Sequence, residues 1–237
     1  MVKVKICGIT NVDDAKAAVD YGADAIGMVI DVPFEAPRKI ELDRASEILE
    51  VITPFVSSVA LAMPCSMENF RGILEKIIVL NFSVIQLQGS ESVELVESLK
   101  EAIENAGCGT KIIKVFHIDA GSCNSPGKFS PEDIAEGIVR DIDNYSGFID
   151  AASLDTKIKG AFGGTGFTHD RDIDRYVREH IRLPLIVAGG LTPDNVGDVI
   201  RHVRPYGVDV SSGIEGKIKG KKDHDKLRRF IEISRRA

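Results

Sequence analysis

The chain has 237 residues, 43% of them apolar, which is ample for a full-sized core, and its formal net charge of −6 argues against a nucleic-acid binder. No stretch approaches the ~20 apolar residues of a membrane-spanning helix. The opening MVKVKICGIT alternates like a strand and lacks the apolar run of a signal peptide, so a cytoplasmic protein with no membrane partner is expected.

Eight short β-branched runs alternate with longer stretches of helical period. The strand candidates are 2–7, 24–30, 55–62, 83–88, 111–116, 147–154, 184–188 and 207–210. Most are near-continuous apolar runs, as parallel strands covered on both faces require. After the first strand, Asn11 is placed to cap a helix whose stripe is Ala15, Ala18, Val19 and Gly22. Met67, Phe70, Leu74 and Ile77 form a second stripe. Further on, Ser130-Pro131-Glu132-Asp133 reads as a capped helix start, and Thr192-Pro193 as a proline at a first helical position. Leu227, Phe230, Ile231 and Ser234 form the last stripe. The pattern predicts an α/β fold, a (β/α)₈ TIM barrel in which residues 1–237 form one domain. Segment 117–130 is the longest candidate loop after a strand, and a lid and a surface loop both fit it.

Loops that follow the strands build the active site of such a barrel. That rule gathers Cys7 at the end of the first strand, Arg38 after the second, Gln88 ending the fourth and Asp155 after the sixth. Gly189 and Gly190 follow the seventh strand, and Ser211, Ser212 and Gly213 the eighth. Glycine lets backbone N–H groups approach an anion, and barrels commonly hold phosphate after strands 7 and 8, so a small phosphorylated substrate is expected. The glycines at 163–166, Gly164 among them, are a third contributor or a hinge. Cys7 taken alone reads as a small core residue and Asp155 as a turn cap; together they form a plausible base and acid. Cys65, Cys108 and Cys123 read as structural, and the scattered cysteines and histidines suggest neither a disulfide framework nor a metal site. His117 reads as a loop histidine, and the lysine-rich 217–229 as solvated surface.

Nine segments, in order from end to end, resemble the phosphoribosylanthranilate isomerase family. They are KICGIT (5–10), GADAIG (22–27), PR (37–38), IQLQG (85–89), LDT (154–156), GGTG (163–166), AGGLTPDNV (188–196), GVDVSSGIE (207–215) and KKDHDKL (221–227). The resemblance implies a cofactor-free aldose–ketose isomerase of tryptophan biosynthesis. Its reaction is the Amadori rearrangement of N-(5′-phosphoribosyl)anthranilate to 1-(2-carboxyphenylamino)-1-deoxyribulose 5-phosphate. Asp155 matches the general acid at the ribose ring oxygen, Cys7 the base at C2′, and Arg38 the partner of the anthranilate carboxylate. The chain departs from the family at Gln88, where a histidine is common. The family's frequent Phe-Asp-Trp is His169-Asp170-Arg171 here, and aromatics after the second and third strands are replaced by Met28, Ile30 and Ala62. An isomerase of another aminoaldose phosphate and a non-catalytic phosphometabolite-binding barrel therefore remain as alternatives, and the protein is expected to be a monomer or a homodimer.

Overall fold

Eight parallel strands close on themselves in chain order, each separated from the next by a helix. The computed structural model describes residues 1–64, 67–119, 130–157 and 170–237. The strands are β1 (Lys3–Ile6), β2 (Ala25–Asp31), β3 (Ser57–Ala62), β4 (Val84–Leu87), β5 (Lys111–Asp119), β6 (Ala151–Lys157), β7 (Leu185–Val187) and β8 (Gly207–Val210). The helices are α1 (Val12–Asp20), α2 (Leu42–Leu49), α3 (Met67–Val79), α4 (Val93–Asn105), α5 (Pro131–Tyr145), α6 (Arg171–His180), α7 (Val196–Val203) and α8 (His224–Arg236). Closure is made by β1 against β8, with Lys3 opposite Gly207 and Ile6 opposite Val210. None of the described helices is long and apolar enough to cross a membrane.

The period of two along each strand divides the core. Val4 and Ile6 of β1 and Val208 and Val210 of β8 join the large apolar layer between sheet and helices. Inside the barrel, Ile113, Ala151 and Ile186 pack with Val84 in one layer, and Cys7, Val59 and Leu61 form another. This alternation sends Lys5 of β1 inward, and Cys7 with it, directly past the strand's end, where its N–H still bonds to the Val210 carbonyl (2.8 Å). At the sequence ends, Arg235 of α8 donates to the carbonyls of Val2 (3.0 Å) and Gly22 (2.8 Å) and to Asp24 (2.6 Å), fastening the last helix beneath the first strands.

Asn11 caps α1 through the Asp14 N–H, and Ser130 with Asp133 forms a reciprocal capping box on α5, as their spacing predicts. Several expectations are corrected. Gly22 lies past the end of α1, exposed and with φ +95°, so only Ala15 and Ala18 of that stripe are buried fully. Residues 147–150 precede β6, which starts at Ala151 and runs on to Lys157. Asp155 therefore lies within the strand and not after it, and His117 likewise lies within β5. The reason is a long ladder: β5 and β6 pair from Ile113–Ala151 to Asp119–Lys157, which extends both strands beyond their apolar runs. Pro193 sits in a turn before α7. There Asn195 accepts from the Thr192 N–H (2.8 Å) and donates to the Gly190 carbonyl (2.9 Å), so the helix begins only at Val196.

Candidate active site

At the C-terminal end of the barrel one pocket collects Cys7, Arg38, Gln88, Asp155, Gly189, Gly190, Ser211, Ser212 and Gly213. Gly164, Cys123 and Cys65 lie outside the described residues, as does most of 117–130. The chain leaves β1 through Gly8, at φ +68°, and a Cβ there would stand 2.5 Å from the Arg38 Cδ and 2.8 Å from the Ser211 Oγ. Glycine is therefore required twice, by the left-handed backbone and by the arginine that lies over it.

Cys7 is buried, 7% exposed. Beneath it Lys5 Nζ donates to Asp209 Oδ2 at 2.7 Å in an ion pair sealed from solvent. Burial pushes the Cys7 thiol above its ordinary range; Lys5 and Lys222 pull it down and Asp209 pushes it up. Burial alone would lower Lys5, but Asp209 and Cys7 more than offset it and the ammonium is held above its usual range.

Asp155 is met by two neighbours. Gln88 donates to its Oδ2 at 3.4 Å and is itself steadied by Gln86 (3.1 Å). Gly189 backs against the same stretch of β6, for a Cβ there would fall 2.5 Å from Thr156 Oγ1 and 2.9 Å from Asp155 Oδ1. The two glycine loops also touch: a Cβ on Gly213 would lie 1.8 Å from the Leu191 carbonyl oxygen. Gly189 and Gly190 take φ +79° and +65°. Ser211 Oγ is buried with no hydrogen-bond partner among the described residues, an orphaned donor of the kind a bound oxyanion satisfies.

Arg38 is held by Glu215 through two parallel bonds of 2.7 and 2.9 Å. Lys222 joins them, donating to Glu215 (3.4 Å) and to the Ser211 carbonyl (3.0 Å), so one charged cluster supports both the arginine and the loop after β8. Although burial opposes it, Arg38 and Lys222 hold the Glu215 carboxyl below its ordinary range. Burial lowers Lys222, against the pull of Glu215.

A family model described as N-(5′-phosphoribosyl)anthranilate (PRA) isomerase matches residues 4–233. The chain belongs to this family. The N-(5′-phosphoribosyl)anthranilate isomerase 1 of Methanosarcina mazei is 40% identical over 236 residues, covering 99% of this chain and 95% of the relative. The crystal structure of the Thermotoga maritima enzyme is 34% identical with a TM-score of 0.79, each chain fully covered. A phosphoribosylanthranilate isomerase solved with reduced 1-(o-carboxyphenylamino)-1-deoxyribulose 5-phosphate is 32% identical, TM-score 0.76, again with both chains fully covered.

Within this isomerase family the chain has its own furnishings. Against the expectation that no aromatic follows the second strand, Phe34 lines the pocket. It lies beyond β2 in a stretch that turns back over the barrel, where the Ile40 N–H meets the Val29 carbonyl at 3.0 Å. Arg171 is the first residue of α6. It donates to the carbonyls of Ala188 (3.3 Å) and Gly189 (2.5 Å) and to Asp174 (2.8 Å), bracing the first glycine loop from behind. His117 is no loop residue; its Nε2 lies 2.9 Å from the Gln88 carbonyl on the pocket wall. Lys5, Asp209 and Glu215 carry no expectation of their own from the sequence, and Lys222, expected on a solvated surface, is buried at 6% exposure. For Lys5 the signal was present, because a residue two before Cys7 on one strand shares its face.

Proposed function

We propose that the chain carries out its family's Amadori rearrangement with Asp155 as general acid and Cys7 as general base. The observation that carries this reading is that both groups line one pocket, with the glycine loops of β7 and β8 on the strands between them. Phosphate bound by the backbone of Gly189, Gly190 and Ser211–Gly213 leaves the ribose suspended between acid and base. Asp155 gives its proton to the ring oxygen, the C1′–O bond breaks, and the nitrogen lone pair forms a Schiff base. Cys7, as thiolate, takes the C2′ proton, and that electron pair moves into the C1′–C2′ bond to give the enolamine, which tautomerises to the ketone. Each proton transfer of this kind contributes ~10²–10⁴-fold in rate. Arg38, its guanidinium aimed by Glu215, receives the anthranilate carboxylate, and Phe34 supplies apolar surface for the ring. Gln88 steadies the acid.

The test is turnover of freshly generated phosphoribosylanthranilate, followed by loss of its fluorescence. Cys7→Ser and Asp155→Asn should each lower kcat by about 10²–10⁴-fold with KM largely kept. Wild-type turnover in either variant removes its assigned role. A folded, phosphate-binding wild type without turnover favours another aminoaldose phosphate or a non-catalytic barrel.

The assembly belongs to the same proposal: a homodimer joined through the N-terminal end of the barrel. Phe55 is 99% exposed there, on the rim of a cavity it shares with Tyr206, itself 52% exposed. Phe55 and Tyr206 together are the apolar contact that such an interface would bury. A related structure, that of engineered monomers of the Thermotoga maritima isomerase, describes its parent as dimeric.

A further inference from the structure

The base reading leaves a difficulty: a thiol buried as Cys7 is resists becoming a thiolate, which is the form that accepts a proton. The groups that face it decide whether it can. On β1 itself Lys5 lies two residues earlier on the same inward face, and its positive charge draws the thiol down. Gly27 of β2 shows that the two are neighbours, since a Cβ there would stand 3.1 Å from Cys7 Sγ and 3.1 Å from Lys5 Nζ alike. From β8, Asp209 holds the ammonium at 2.7 Å, and beyond β8 Lys222 adds a second, more distant positive charge. Asp155 and His117 face the thiol from β6 and β5 across the pocket, and Arg38 from the loop after β2.

Lys5 also sits at a boundary. It lines the cavity at the N-terminal end of the barrel, whereas Asp209 and Cys7 line the catalytic pocket, so the ion pair is the floor between the two. The bond to Asp209 is what fixes the ammonium there, and with both side chains buried its charge acts through a medium with little water.

We infer that Lys5, pinned by Asp209, is a positioning residue that keeps its ammonium beside the Cys7 sulfur and so offsets part of what burial costs in forming the proton-accepting thiolate. The inference rests on Cys7 as the base, and its test separates the two. In a background where Cys65, Cys108 and Cys123 are serine, the remaining thiol is titrated by its thiolate absorbance, alongside the pH profile of kcat. Lys5→Met should raise the thiol midpoint by about one unit or more, and lower kcat near neutrality by about tenfold, with recovery as pH rises. Lys5→Arg should leave both near wild type. Gly27→Ala keeps every charge but sets a methyl too close to both sulfur and ammonium for either to stay in place, and should move the midpoint in the same direction as Lys5→Met. It decides the matter alone where Lys5→Met does not fold. An unchanged midpoint in Gly27→Ala or in a folded Lys5→Met overturns the inference. A shifted midpoint beside an unmoved kcat profile, with Cys7→Ser still turning over, upholds the Lys5–Cys7 contact and removes Cys7 as the base.

Discussion

Arg38 and Glu215 are 177 positions apart and meet through two parallel hydrogen bonds at the pocket wall. A guanidinium held this way offers its remaining edge in one orientation, which suits a planar carboxylate. Arg38→Ala should therefore raise KM by at least about tenfold with a smaller effect on kcat, and Arg38→Lys should rescue little of it, because an ammonium lacks the fork. Steady-state kinetics check both; an unchanged KM would mean that the arginine supports the fold and not the substrate. Glu215 carries a pH signature of its own. Its carboxyl is held below the ordinary value of 4.5, so its contribution to stability is present above that value and is lost as pH falls through the lower, folded-state value. Glu215→Gln should cost about 3 kcal/mol near neutrality, and the gap to wild type should narrow as pH falls from 4.5 through the lower folded-state value. Urea unfolding across that range measures it, and a gap that stays constant into acid would show that the carboxylate's charge is not what stabilises.

At the scale of elements, the two phosphate loops form a single unit. Gly213 presses against the Leu191 carbonyl, Asn195 ties Gly190 to the start of α7, and Arg171 braces Gly189 from α6. Gly213→Ala cannot be accommodated at 1.8 Å without separating the loops. It should raise KM for the phosphorylated substrate by about tenfold or more, with inhibition by inorganic phosphate weakened in step. Equal phosphate inhibition in the variant and wild type would show that the anion binds elsewhere. The clasp at the other end is a stability device. Arg235→Met removes three bonds to the first strands and should cost about 1–3 kcal/mol while leaving kcat and KM alone. Element boundaries were legible where the chemistry is local, as at Asn11 and Ser130, whose side chains bond to N–H groups three residues on. They were misread at β6 because a ladder with β5 continues a strand past its apolar run, and no local pattern announces a partner.

For the whole molecule, closure of the barrel turns eight separate strand ends into one ring, with the chemistry gathered at one end and the bare Phe55 at the other. Phe55→Asp should abolish the homodimer and leave the pocket intact, so light scattering should report a monomer whose kcat remains within a few-fold of wild type. A wild type that is already monomeric at micromolar concentration would rule out that interface.

The amino-acid sequence by itself determined the class of fold, the order of its strands and helices, and the neighbourhood of the acid, the base and the phosphate loops. These are written in short-range terms: a period of two against a period near 3.6, caps, and glycines at the ends of particular strands. Only the tertiary structure decided what surrounds each of those groups. Lys5 meets Asp209 across 204 residues, Arg38 meets Glu215, His117 reaches Gln88, and Phe34 turns back into the pocket. Such pairings arise when a closed sheet brings opposite ends of the chain side by side. The free energy that selects them, burial of charge offset by an exact partner, exists only once water has been excluded from the barrel.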